Sequence, residues 1–495
     1  MNISKKNLFN LTILFIISRI IFYMFGVRFD ANTLHYLQVL DTDLLKTRLL
    51  ESLWHLHSQP PLFNLALGLG LKMFPHSYPL VFNAVYLVMG YGLVLAMFLL
   101  MKKLGVGSTL SFFLTCLFMV NPAVILYENW LFYSYPVAVL LCLSALFLHR
   151  YVQCGRTWDL TGFFSCGALL VLVRSLFHVF WFLGGMLVLL CFRKERRKQI
   201  VLTGLIPVLI LNGVYLKNYL ISGNYTTSST WFGWTLAGMT IPFVYEDEFK
   251  QIRKDGGISF VTDEEFGDPM DIGKVYARHY PVPETGVPVL DRRMKADGRT
   301  PNYNSLLSLQ TSRLYLKDGL YVLTRYPQAY ARAVKRAFFV YFFPGPTDIR
   351  MVNRPAIRAY ENAYNFMFAR LTRINSQDIN WYSSVFYPVR WDFLSLILFF
   401  SVVEYYLVLF FFLGWALFKA FQREPFDQAF ALTLLYVTVN ILYITLLINA
   451  FEPVGNNRYR FTIDPFFWIT SGLLLAHYKD RLFKKKKKEG PEVLS

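Results

Sequence analysis

The sequence predicts an all-α polytopic membrane protein of about ten or more transmembrane helices, with a mixed α/β insertion on its outer side. Three observations carry this. The 495 residues are 55% hydrophobic and 18% aromatic, and the mean hydropathy is +0.37. Several apolar runs approach or exceed the roughly 20 residues needed to cross a bilayer about 30 Å thick. Basic residues gather in the short segments between alternate runs.

Apolar runs and their flanks place spans near 8–25, 78–101, 108–126, 132–150, 159–176, 178–192, 199–219, 392–420, 427–450 and 461–478. The first has a Lys5-Lys6 flank like a signal peptide. No small-residue cleavage site follows it, so it reads as a retained anchor. Ten crossings put both termini on one side. Lys102-Lys103, Arg150, Arg156, the basic run 193–198, Arg423 and 479–488 then share that side, which the positive-inside bias makes the cytoplasm. The apolar stretch 60–74 is short for a span, and counting it as one would move Lys102-Lys103 outside. It is placed along the outer interface or as a re-entrant segment.

The chain divides into an N-terminal membrane block (1–219) whose first outer loop is 26–77, an extracytoplasmic insertion (220–391), a C-terminal block (392–480) and a basic tail (481–495). In the insertion, 222–224 and 226–230 read as turn and strand, and 305–342 as helix. Residues 330–343 mix Arg332, Lys335 and Arg336 with Phe338, Phe339, Tyr341 and Phe342 and stop at Pro344-Gly345-Pro346. That composition fits either a helix lying in the headgroup layer or an ordinary amphipathic helix packed on the insertion. The tail after Phe483 is expected to be disordered, its lysines drawn to anionic lipid. The absence of an internal repeat weighs against many secondary-transporter folds.

The net charge of +18 sits largely in cytoplasmic flanks and tail, so it marks topology rather than nucleic-acid binding. All five cysteines fall in predicted spans or at the cytoplasmic edge. A disulfide framework or a cysteine-based zinc site outside is therefore not expected, and the low outer cysteine content favours a bacterial plasma membrane over the endoplasmic reticulum. Asn224-Tyr225-Thr226 is a glycosylation sequon on the outer side.

The candidate chemistry lies on the outer face. Asp30 directly follows the first span, where a carboxylate could face a water-filled cavity and serve as a general base; the alternative is that it only ends the helix. Glu128 is the acidic residue of the short turn between the third and fourth spans and could join it. His57, ahead of Pro60-Pro61-Leu62, is positioned for a headgroup phosphate or for interfacial packing. Arg174 and His178 mark one outer turn, and Arg458 and Arg460 approach the last span at the same depth. Cations there can neutralise a lipid-linked phosphate, although arginines also snorkel at helix ends. Asp41 and Asp43 have a spacing that could share a divalent cation, with a solvated helix face beside Arg48 and Glu51 as the competing reading. Arg19 and Glu404 lie inside spans and each requires a polar partner.

This pattern resembles the glycosyltransferase C superfamily, in particular the branch of protein O-mannosyltransferases and bacterial aminoarabinose transferases. Asp30 resembles the family's catalytic acid in the first outer loop, Gln59-Pro60-Pro61-Leu62 its Pro-Pro-Leu motif, and Glu128 its second acidic residue. Asn457-Arg458-Tyr459-Arg460-Phe461 with Asp464-Pro465 resembles the segment before the last span. The resemblance departs at Ala31, where the family commonly has Glu after its Asp, and at Gln59, often His or Lys there; His57 could substitute. It implies a multi-pass membrane enzyme that moves a sugar from a polyprenyl- or dolichyl-phosphate donor to an extracytoplasmic glycan, lipid or protein acceptor, with inversion and with no certain cofactor beyond a possible divalent cation. Two other classes compete: a lipid-linked-sugar flippase or transporter, and an oligosaccharide polymerase or ligase with a diphosphate-linked donor.

Overall fold

The computed structural model describes residues 5–266, 272–282, 284–342, 351–368, 393–422, 426–453 and 455–488. Its first helix shows why the chain belongs in a bilayer. Helix α1 (Lys5–Met24) buries Leu11, Phe15, Ser18 and Phe22, one stripe at helical spacing, yet its outward face carries Ile16 and Ile20, each more than half exposed. A helix that is apolar on its unpacked face belongs in hydrocarbon. Its stripe packs on Val94, Phe98 and Met119.

Short helices α2 (Thr42–Thr47), α3 (Leu49–Trp54) and α4 (Pro61–Met73) follow. The bundle is then built from α5 (Tyr78–Lys103), α6 (Ser108–Met119), α7 (Pro122–Glu128), α8 (Ser134–Cys154), α9 (Thr157–Val173), α10 (Val179–Phe192) and α11 (Arg197–Ser222). Helix α8 is apolar nearly all round and is buried nearly all round, against α5, α9 and a later helix, α21 (Gln428–Phe451). Gly155 and Gly223 close α8 and α11 in the left-handed conformation, at φ 67° and 71°.

Among the described residues six helices are long and apolar enough to cross a membrane, and the chain is an integral membrane protein. This is fewer than the ten spans expected. Two of the ten fall on α9 and α10, which at 17 and 14 residues are shorter than a full crossing requires. A third expected span, 108–126, is the pair α6 and α7, bent by 57°, and a fourth, 461–478, falls on the last helix (Asp464–Lys488), which is not among the six. Pro122 cannot donate to the preceding turn, and the Asn121 side chain caps the new helix by accepting from Ala123 N at 2.9 Å. The bend buries α7 completely. Helix α4 occupies the stretch whose placement was the most ambiguous in the sequence. The segment just before it, His57 and Ser58, bonds to Asn304 of the insertion, and its last turn leads through a short loop into α5.

The insertion comprises α12 (Ser229–Gly238), α13 (Glu246–Lys254), α14 (Phe260–Glu265), α15 (Lys274–His279), α16 (Pro288–Asp291), α17 (Leu306–Arg325), α18 (Pro327–Tyr341) and α19 (Arg358–Phe368). The expected mixed α/β character is corrected: no strand occurs among its described residues, where one isolated bridge joins Met294 and Pro301. The threonines of the run 226–230 suggested a strand, but the Thr226 hydroxyl accepts from Ser228 N at 3.2 Å in a turn, the Ser229 hydroxyl donates to the His57 carbonyl, and the helix starts at Ser229. Helices α12 and α17 meet so closely that a Cβ on Gly233 would stand 1.9 Å from the Ser312 carbonyl oxygen. They share a core of Ala237, Ile241, Ile252, Tyr315 and Val322.

Of the two readings of 330–343, the packed amphipathic helix fits α18. Ala329, Ala333, Ala337 and Tyr341 form its buried stripe, and the Tyr330 hydroxyl donates to the Ala450 carbonyl at 2.9 Å. Arg332 pairs with Glu248 at 3.0 Å. The Pro344-Gly345-Pro346 break lies outside the described residues. Helices α20 (Phe393–Gln422), α21 (Gln428–Phe451), α22 (Asn457–Phe461) and α23 (Asp464–Lys488) complete the bundle. Helix α23 continues past Phe483, where disorder was expected, to Lys488; 489–495 lie outside the described residues.

Candidate functional site

The site is organised by a short pairing of two non-helical segments at the end of the bundle that carries the insertion. Residues 28–31, leaving α1, run beside 129–131, leaving α7. Asp30 N donates to Asn129 O at 2.8 Å and Leu131 N donates to Asp30 O at 2.9 Å, which makes a parallel bridge between Asp30 and Trp130. Thr33 adds a side-chain bond to the Leu131 carbonyl. Extended backbone alternates its side chains, so Asp30 and Trp130 share one face of the pairing while Phe29 and Asn129 share the other. The Asp30 carboxylate is 5% exposed and accepts from Asn32 N at 2.9 Å through Oδ1. Among the described residues no backbone amide donates to Oδ2.

An aromatic run follows Trp130. Its ring lies 4.7 Å from Phe132, which lies 4.0 Å from Tyr133, and Tyr36 meets both Trp130 and Phe132 edge-on. Two predicted cations rest on this run. Arg458 stands 5.2 Å over Phe132 and 5.2 Å over Tyr459. Arg174 is clamped between Tyr133 and Tyr459 at 4.1 and 4.2 Å. Arg174 is 8% exposed, and its Nη1 has no hydrogen-bond partner among the described residues. A guanidinium can rest on aromatic faces, but a buried cation normally also has an anion or acceptor at its donors. The structure thus links Asp30 to Arg174 and Arg458, far apart in the sequence, through the backbone bridge and the aromatic run from Trp130 to Tyr133.

The other candidates go elsewhere. Glu128, expected to work beside Asp30, is 1% exposed and is held by Arg19, whose Nε and Nη2 donate to its two oxygens at 2.8 and 2.7 Å. The Tyr135 hydroxyl donates to Oε2 at 2.8 Å. Arg19 therefore has its partner. The sequence held the signal: an arginine inside an apolar span needs a carboxylate at its own depth, and Glu128 was the acid at that end of the bundle. Arg460 is 2% exposed and turns away, donating to the Tyr341 carbonyl and facing the Tyr406 ring.

His57, expected at a headgroup phosphate, is fully buried. Its Nδ1 lies 2.6 Å from Ser229 Oγ, and its own carbonyl accepts from Ser229 as well. Asn304 completes the latch. Its Oδ1 accepts from His57 N and Ser58 N at 2.9 and 3.0 Å, and its Nδ2 donates to the His55 carbonyl at 3.0 Å. Sequence reasoning missed Asn304 because nothing near position 304 indicates that the insertion docks on the first loop. Asn304→Ala would leave three backbone groups unsatisfied, two of them in buried residues. At about 1–3 kcal/mol for each buried group, thermal melting of the purified protein is expected to fall by several degrees.

Burial holds His57 neutral and pushes its pKa down to about 3. The unfolded chain binds a proton near the ordinary value of about 6.5, so between about 6.5 and 3 the unfolded state holds more protons. Stability therefore decreases as pH falls through that window, by up to about 1.4 kcal/mol per pH unit from this group. His57→Gln is expected to flatten the dependence of melting temperature on pH between 6.5 and 5. An unchanged slope would remove the assignment.

Asp41 and Asp43 do not act as a pair. Asp41 caps α2, accepting from Asp43 N at 3.1 Å through Oδ1, while its Oδ2 accepts from Ala296 N at 2.9 Å; Asp43 is exposed. Among the described residues no group of three or more His, Cys, Asp or Glu side chains could hold a metal ion. Gln59 is half-buried before α4. His178 caps α10 weakly, its Nδ1 3.4 Å from Phe180 N, and packs edge-on against Tyr215. Lys295 is a contributor the sequence did not single out. It is 7% exposed and donates to the Tyr36 carbonyl at 2.7 Å, so the insertion reaches the residue that covers Trp130. Compared with known protein families, curated proteins and solved structures, the chain shows no match.

Proposed function

We propose that this protein is a membrane glycosyltransferase that moves one sugar from a polyprenyl- or dolichyl-phosphate donor to an extracytoplasmic glycan, lipid or protein acceptor, with inversion at the anomeric carbon. The observation that carries the reading is Arg174: a buried guanidinium stacked between two tyrosines, short of an acceptor at Nη1 among the described residues, sharing Tyr459 with Arg458 and resting on the aromatic run bridged to Asp30. That arrangement suits a phosphate whose negative charge grows as it leaves. Arg174 and Arg458 would hold the phosphate and the aromatic faces would pack against the sugar. Asp30 would take the acceptor's hydroxyl proton at Oδ2 as oxygen attacks the anomeric carbon and the bond to phosphate breaks.

Glu128, Arg460 and His57 serve this reaction as positioning residues. Glu128 with Arg19 fixes the end of α7 from which the paired segment leaves, Arg460 ties α22 to α18, and His57 ties the first loop to the insertion. Basic residues at Lys102, Lys103, Arg150 and the 193–198 run support a cytoplasmic position for the helix ends that carry them, by the positive-inside bias. The site then faces outward from a bacterial plasma membrane, or into the lumen of the endoplasmic reticulum.

Membranes containing the protein are offered labelled sugars on polyprenyl monophosphate and on polyprenyl diphosphate. Transfer from the monophosphate donor is the expected result. Transfer from the diphosphate donor alone would replace this reading with a polymerase or ligase, and donor binding with no transfer would replace it with a carrier.

A further inference from the structure

On the other face of the Asp30–Trp130 pairing a cleft of about 320 Å³ opens between α1 and α5, both membrane-crossing helices. Phe22, Phe29, Leu80, Leu87 and Ile125 supply its apolar walls, and its floor includes Arg19. That guanidinium is paired with Glu128, which leaves the deep end without net charge. The rim is different. Arg28 is exposed there, its guanidinium 3.7 Å over the Tyr23 ring and its Nη1 donating to two backbone carbonyls. Arg28 forms no ion pair among the described residues. An apolar slot with a single uncompensated cation at its mouth, between two helices whose outward faces are hydrocarbon-like, has the charge pattern of an anionic lipid's chain and phosphate.

We infer that this cleft binds one anionic glycerophospholipid, an acyl chain between α1 and α5 and the phosphate at Arg28. The site is separate from the one proposed for the sugar donor, because the cleft is lined by Phe29 and Asn129 and not by Asp30 or Trp130. Its occupant would nonetheless support catalysis, since Phe29 and Asn129 flank the two bridged residues. The inference does not rest on the glycosyltransferase reading, and binding can be measured without any transfer assay.

The test is native mass spectrometry of the full chain released from nanodiscs containing equal phosphatidylglycerol and phosphatidylcholine. The wild type is expected to retain one phosphatidylglycerol, preferred about fivefold, the scale of one basic residue at a membrane surface. Arg28→Gln should lose the preference, and Leu87→Trp, which fills the slot, should lose the retained lipid. Should Leu87→Trp fail to fold, Arg28→Gln decides alone. Equal retention of both lipids by the wild type, or an unchanged preference in Arg28→Gln, would overturn the inference. Displacement of the phosphatidylglycerol by one equivalent of polyprenyl phosphate would overturn it too, by assigning the cleft to the donor.

Discussion

Arg19→Leu is expected to destabilise the protein by about 3–5 kcal/mol, the scale seen when one partner of a buried ion pair is removed. The geometry explains why the loss is large. Glu128 is 1% exposed, and of its three side-chain donors two belong to Arg19. Without that guanidinium the carboxylate either remains as an uncompensated charge or takes up a proton inside the bundle. Arg19 also donates to the Met119 carbonyl at 2.9 Å, one of the acceptors freed where α6 bends into α7. The same substitution therefore loosens the bend that delivers residues 129–131 to Asp30. The double variant Arg19→Leu with Glu128→Leu should recover much of the loss, because neither charge is then buried alone. Thermal melting in detergent separates the cases: the single variant is expected well below the double. Equal melting temperatures would mean that the pair contributes little. Gly90→Ala should mimic the defect, since a Cβ there would stand 2.1 Å from Glu128 Oε2.

Asp30→Asn is expected to lower sugar transfer by about 10²- to 10⁴-fold, the usual contribution of a positioned general base, while leaving the fold in place. The bridge to Trp130 uses only the backbone of residue 30, and an asparagine Oδ1 can still accept from Asn32 N. What the amide lacks is the basic oxygen that would receive the acceptor's proton. Melting temperature and donor affinity should therefore stay close to wild type. This separates Asp30 from Arg19, whose loss acts through stability.

How much of this was legible in the sequence depends on the distance over which each feature is decided. Apolar length and charged flanks are local, so α1, α5, α8 and α21 fall close to where the hydrophobic runs put them. Helices α9 and α10 are apolar but short, and composition alone does not distinguish a full crossing from a shorter helix packed inside a bundle. The helical start of α12 was hidden by a Thr- and Ser-rich run in which Thr226 takes part in a local turn and Ser229 bonds across to His57. In the site, Asp30, Arg174 and Arg458 were readable as an outward carboxylate and outward cations because each lies at the end of an apolar run. Their partners were not. The pairing of Asp30 with Trp130 spans 100 positions of sequence, and Asn304 reaches His57 across 247. Hydrophobic periodicity carries no information about such contacts. The exception is Arg19, where the cost of a charge in hydrocarbon demanded an acid, and the bend at Pro122 brings it one.

The most direct test of the central claim measures two quantities on the same purified samples: binding of a labelled polyprenyl-phosphate sugar, and its transfer, in wild type, Asp30→Asn and Arg174→Met at equal protein. The account predicts that Asp30→Asn binds donor as wild type does but transfers at least a hundredfold more slowly, whereas Arg174→Met loses donor binding. Near-normal transfer by Asp30→Asn would contradict it, and so would undiminished donor binding by Arg174→Met.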